Sequence, residues 1–186
     1  MYPLKREAPS PLVTPPVNLV LINPKKSPDI SEDNRRLISR IAPVCLAYNF
    51  HLWLIDFGIK ETPLDFAENI APSTSIGKGG ENLIRLCKEG KVKILDMPLP
   101  QNVGQMIICT SQPENSKEKE LKEIVTVSKK KAIALIFGID QRNNKLLKKI
   151  KEDSYCHLDI TSNKIRLSLD SAIGAVCHSL FMIRKA

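Results

Sequence analysis

The sequence predicts an α/β fold: a mainly parallel sheet with helices on both faces. Two observations carry this. Short runs of apolar, largely branched residues recur along the chain, apolar throughout rather than alternating, as strands buried on both faces are. Between them lie segments whose apolar residues recur at helical spacing. A length of 186 residues suits one domain with a core of its own. The expected organisation is an extension over residues 1–16 and a single domain over 17–186.

Val17 to Ile22, "VNLVLI", is the first strand. Ser31 or Asp33 caps a helix running to about Tyr48, with Leu37, Ile38, Ile41, Val44 and Cys45 at helical spacing. Pro43 within it removes one hydrogen bond or bends it. His51 to Phe57 is a second strand. Thr62 caps a short helix with Pro63 at its first position. "APSTSIGKGG" reads as an exposed loop, Glu81 to Lys88 as a helix and Lys91 to Asp96 as a strand. Gly104 to Thr110 is a fourth strand, Ser116 to about Ser128 a charged helix, Ile133 to Phe137 a fifth strand and Tyr155 to Ile160 a sixth. Ser168 to Met182 forms the last helix, with Leu169, Ala172, Ile173, Val176 and Leu180 on one face.

The formal charge is +8, and the excess is uneven. Between Ser116 and Lys151 stand eleven Lys or Arg against four Asp or Glu. Such clustering suits a phosphate-rich partner, and Lys145, Lys148 and Lys149 are the candidate contacts; the alternative is a solvated helix face. No apolar run reaches the roughly 18 residues that cross a bilayer, and residues 1–16 lack an apolar signal-peptide core, so the expectation is cytoplasmic. The five cysteines are odd in number and scattered, as in a protein of reduced, buried thiols. Cys156-His157 and Cys177-His178 invite a zinc site, but no C-x-x-C spacing supports one, and neighbours on a strand point to opposite faces. No metal is expected.

Several motifs are excluded. "GKGG" has Lys78 but no Ser or Thr after it, and Pro72 stands where a phosphate loop needs its first Gly. No G-x-G-x-x-G is present, and no histidine sits in a nucleophile-elbow context. What remains are loops beyond the carboxyl ends of strands, where open α/β sheets collect ligands. Three qualify: after Cys109, after Phe137 and after Ile160. Gly138 would let the backbone come close to a ligand.

A family resemblance arises from three stretches. "DNRRLISRIAPVCLAYNFHLWLID" resembles the first motif of the SPOUT RNA methyltransferases, especially the SpoU branch, in which Asn is followed six residues later by Arg; Asn34 and Arg40 match. "IALIFGIDQRNNKLLKKIKEDSYCHLDI" resembles the second motif, a strand ending in F-G-x-E, a Gly-Leu turn and a helix. "ITSNKIRLSLDSAIGAVCHSL" resembles the third, I-P-M and then S-L-N opening the last helix. The order matches the family over about Val17 to Met182, and the branch resembled is an uncharacterised archaeal one.

The resemblance implies a deep trefoil knot, a homodimer paired through the first and last helices, and S-adenosylmethionine bound by three mostly backbone loops. On this chain those loops would be Thr110-Ser111, Phe137-Gly138-Ile139, and Ile160 to Ser162 with Ser168-Leu169. It implies Arg40, Asn34 and Ser168 as catalytic candidates, Arg40 stabilising an RNA hydroxyl as it loses its proton. Without the resemblance, Arg40 reads as a helix-surface residue and Ser168 as an N-cap. The chain departs from the family at Asp140 for Glu, Asn143-Asn144 for Gly-Leu, Thr161-Ser162 for Pro-Met and Asp170 for Asn. The expected function is an RNA methyltransferase acting on a ribose 2′-hydroxyl of tRNA or rRNA. The alternatives are a knotted RNA- or protein-binding module without catalysis, and a flavodoxin-like protein, which would lack its phosphate-binding first loop.

Overall fold

The computed structural model describes residues 14–25, 28–73, 79–139 and 145–186. Residues 1–13 of the extension, Lys78 of the "GKGG" stretch, and Asp140, Asn143 and Asn144 of the second motif lie outside them.

The elements run β1 (Val17–Ile22), α1 (Glu32–Tyr48), β2 (His51–Ile55), α2 (Pro63–Ile70), α3 (Gly79–Lys88), β3 (Val92–Leu95), β4 (Gln105–Cys109), α4 (Leu121–Ser128), β5 (Ile133–Gly138), α5 (Lys145–Asp153), β6 (Cys156–Leu158) and α6 (Leu169–Lys185). The six strands form one sheet in the order β3-β2-β1-β5-β4-β6. Every pair is parallel. The α/β architecture with a parallel sheet is thus as the apolar runs predict.

Helices cover both faces, but unequally. On one face Leu19, Leu21, Leu52, Leu54, Ile107 and Leu135 pack against apolar residues of α1, α2, α3, α4 and α6. On the other, Val20, Ile22, Trp53, Ile55 and Ile136 meet Ile150, Leu146 and Leu147 of α5 and the connection carrying Met97, Leu99 and Val103. Burial on both faces explains why the strand runs are apolar throughout.

Among the described residues, side-chain caps set the starts of α1, α2 and α4. Ser31 Oγ accepts the Asn34 N–H at 3.3 Å, so Ser31 rather than Asp33 caps α1. Thr62 Oγ1 accepts the Asp65 N–H at 3.2 Å, with Pro63 in the first turn. β2 and β6 each end two residues earlier than expected, α6 runs on to Lys185, and two helix starts differ by more than one residue. Gly79 and Gly80 belong to α3 rather than to a loop: a Cβ on Gly80 would stand 2.6 Å from the Ala71 Cα, so only glycine lets the helix start this close. The charged helix begins at Leu121, not Ser116. The preceding residues pair with β6 instead: the His157 N–H donates to the Lys117 carbonyl at 2.9 Å and the Lys119 N–H to the His157 carbonyl at 3.0 Å. The helix then opens on a Glu120/Glu123 capping box.

Sheet order fixes where a ligand could sit. β5 lies between β1 and β4, and β6 lies at the edge beyond β4. The carboxyl ends of β4, β5 and β6 therefore open side by side. Residues 159–168 then lead from that edge to α6, which packs against both α1 and α4.

Candidate functional site

At the ends of β4, β5 and β6 lies a pocket with about 560 Å³ of empty space, its open mouth included. The lining comes from three strand ends, Cys109 to Ser111, Phe137 to Ile139 and Leu158 to Ile160. Ile165, Arg166 and Leu167 add to it, as do Leu169, Ala172 and Val176 of α6. Of the residues proposed to hold a cofactor, Thr110, Phe137, Gly138, Ile139, Ile160 and Leu169 line this pocket.

Ser162 does not. It adopts a left-handed backbone (φ 55) in a turn closed on Asp159, and it faces a separate groove toward Ser179 and Ile183 of α6. Asp159 is 7% exposed. One carboxylate oxygen accepts the Thr161 N–H at 3.1 Å and the Thr161 hydroxyl at 2.9 Å; the other accepts the Lys164 N–H at 2.7 Å. The stretch that replaces Pro-Met is thus ordered by an aspartate, which supports Lys164 at φ 58 as well. Sequence reasoning missed Asp159. The available signal was an Asp directly beyond a strand, with Thr-Ser-Asn, a turn-forming composition, starting two residues later. For Ile165, Arg166 and Leu167 there was no local signal, because their place depends on where α6 docks.

Gly138 does not need a left-handed backbone. A Cβ there would stand 3.0 Å from Leu147 Cδ1 and 3.2 Å from Cδ2. Its missing side chain therefore makes room for α5, and the backbone at the pocket is bare as a consequence. Cys109 at the pocket wall is 8% exposed. Burial pushes its thiol well above the usual range, with Cys177 and Cys156 adding to the shift.

Two of the three catalytic candidates, Arg40 and Ser168, lie at the start of α6, whose Leu169 lines the pocket. Arg40 Nη1 is 4.0 Å from Asp170 Oδ2, joining α1 to the first turn of α6 next to Leu169; the side chains are 55% and 44% exposed. The Ser168 hydroxyl holds the Asp170 carboxyl below its usual range, and Arg40 contributes more weakly. Ser168 makes no side-chain capping bond to α6, and its hydroxyl also meets that of Ser171 at 2.7 Å. The fold thus gathers Arg40, Ser168 and Asp170. Asn34, six residues before Arg40 on α1, stands about 9 Å away along the helix axis and about 120° around it.

Lys145, Lys148 and Lys149 are exposed on α5, whose buried side is Leu146, Leu147 and Ile150. Lys149 also borders an apolar groove between α5 and the segment from Met97 to Gly104. Among the described residues, no group of three His, Cys, Asp or Glu could hold a metal ion. His157 is engaged in the fold: Nδ1 accepts the Glu114 N–H at 3.0 Å, which leaves Nε2–H for the Lys151 carbonyl at 3.3 Å. Among the described residues, no helix is long and apolar enough to cross a membrane.

Solved structures share this fold. A probable methyltransferase of Bordetella pertussis Tohama I superposes with a TM-score of 0.65 at 9% identity, over 92% of this chain and 97% of that one. The TrmH/SpoU tRNA modifying enzyme of A. aeolicus gives 0.51 at 16% identity, over 94% and 79%. A probable methylase family protein of Haemophilus influenzae Rd KW20 gives 0.57 at 18% identity, over 91% and 66%. In sequence, an uncharacterized protein of Methanocaldococcus jannaschii is 31% identical over 169 residues, which is 91% of this chain and 95% of that protein. A family model described as "Protein of unknown function (DUF531)" matches residues 17–181, and the chain belongs to that family.

Proposed function

We propose that the protein is an S-adenosylmethionine-dependent RNA methyltransferase of SPOUT type, acting on a ribose 2′-hydroxyl of tRNA or rRNA. The observation that carries the reading is one pocket built from the three loops of the motif resemblance, at the carboxyl ends of β4, β5 and β6. The residues fit the cofactor's chemistry. Phe137, Ile139, Leu158 and Ile160 offer an apolar bed for a flat ring, and Arg166 brings a cation to the same lining for the carboxylate of an amino-acid tail. When bound, the cofactor supplies an electrophilic methyl group.

Thr110, Gly138 and Ile160 would hold it through backbone. Arg40 would stand over the mouth, where its charge stabilises oxygen losing a proton. Lys145, Lys148 and Lys149 would contact RNA phosphates. The return of residues 159–168 from the sheet edge to α6 would be the threading of the trefoil knot.

Calorimetric titration with S-adenosylmethionine, followed by transfer of labelled methyl to total RNA of the source cell, tests the reading. Micromolar binding with transfer is expected; no binding rejects it. One observation favours the runner-up, a binding module without catalysis: Asp170 stands against Arg40 where the family has a neutral amide. Bound cofactor with no transfer to any RNA selects that alternative.

A further inference from the structure

We infer that the strap from Lys164 to Leu167 is the surface on which a single-stranded nucleotide of the RNA packs; this rests on the RNA-methyltransferase reading above. Ile165 and Leu167 are 58% and 38% exposed, and among the described residues only Tyr155 and Met182 are other large exposed hydrophobics. Both strap residues border the pocket. Their exposure does not come from slack. The turn before them is fixed by three hydrogen bonds to Asp159, and the Ile165 N–H donates to Thr161 Oγ1 at 3.2 Å. Apolar surface held out in water is covered favourably by a partner.

The charges decide which partner. Lys164 and Arg166 alternate with the two apolar residues, and Thr161 to Leu169 contains no acid. Apolar surface flanked by cations matches a base with a phosphate on each side, the arrangement that recognises unpaired nucleic acid. A second copy docking this strap on its own counterpart would set Lys164 and Arg166 against the same cations. An RNA duplex would offer phosphates but keep its base faces stacked.

The test is fluorescence anisotropy on the full chain without cofactor, using a labelled mixed-sequence single-stranded RNA and a duplex of the same length. Ile165→Ser with Leu167→Ser is expected to weaken single-strand binding about tenfold and duplex binding little. Lys164→Gln with Arg166→Gln is expected to lower the slope of log affinity against log salt by roughly 0.7 for each phosphate no longer neutralised, while Arg166→Lys keeps it. These residues are exposed, so melting by circular dichroism should stay unchanged. Unaltered affinity and slope in both double variants would overturn the inference. So would a serine variant that changes a dimer to a monomer in light scattering and leaves RNA affinity intact, since the occupant would then be a second copy. Equal losses on duplex and single strand would overturn base packing. Strap-dependent RNA binding by a protein that takes up no S-adenosylmethionine keeps the strap and discards the methyltransferase reading. Cofactor uptake with strap-independent RNA binding does the reverse.

Discussion

Arg40 shows what a single exposed side chain can and cannot do. Its pair with Asp170 spans 4.0 Å between half-exposed groups, so its contribution to stability is within about 1 kcal/mol. Arg40→Ala is therefore expected to melt like the wild type and to bind S-adenosylmethionine unchanged. Its rate of methyl transfer should fall about 10²–10³-fold, the usual loss when one donor to a developing oxyanion is removed. Arg40→Lys should recover only part of this, since a point charge lacks the planar fork. A wild-type rate in Arg40→Ala takes Arg40 out of the mechanism. Gly138 works differently. Its absent Cβ faces Leu147, so Gly138→Val is expected to overpack α5 and cost about 1–3 kcal/mol in denaturant unfolding. Adding Leu147→Ala should return part of that loss; a double variant no more stable than the two losses summed would break the link. Gly138 was legible in the sequence as a marked position, but its neighbour was not, because Leu147 approaches from the opposite face of the sheet.

Among the elements, the junction of β6, α5 and residues 117–119 is the most densely tied. The Lys117 ammonium donates to the carbonyls of Lys151, Glu152 and Ser154, placing a cation at the C-terminus of α5 where the helix dipole favours one. Lys117→Met should cost about 1–2 kcal/mol. Beside it, burial lowers the His157 pKa, and the charges of Lys151 and Lys117 lower it further against an opposing bond to the Lys151 carbonyl. The fold prefers the neutral ring, whose Nδ1 accepts the Glu114 N–H. The stability this contributes is complete above the unfolded value of about 6.5 and is lost as pH falls through the lower folded value. Urea unfolding near pH 7.5 and near pH 5.5 should show a drop in the wild type that is smaller in His157→Gln. Equal drops would exclude His157 as a source. At the other end of α5 the first turn holds no acid, and Lys145 and Lys148 sit where the dipole disfavours cations, with Lys149 just beyond. Removing all three should leave stability intact, weaken RNA binding and flatten its salt slope by about 2–3. A smaller slope change would assign them to solvent.

For the molecule as a whole, a homodimer paired through α1 and α6 remains our proposal, and light scattering at micromolar concentration should find it. A monomer would count against the SPOUT reading. The two helices already pack on each other within one chain, and of their described large hydrophobics only Met182, at 53%, is exposed. A dimer would therefore rest on a small apolar contact with a polar rim.

The sequence by itself determined the element order, the parallel sheet and the cap at Thr62, and it narrowed the cap of α1 to Ser31 or Asp33. Each depends on neighbours a few residues apart: period, apolar runs, and a hydroxyl set before a helix. It also marked the ends of β4, β5 and β6 as loops of interest. Only the tertiary structure decided that Asp159 orders the third loop, that Arg166 reaches the pocket, that Arg40 meets Asp170, and that residues 117–119 extend the sheet. These outcomes follow from strand order and from the return of α6 between α1 and α4. No local pattern encodes them, because the contacts join residues as far apart as Arg40 and Asp170.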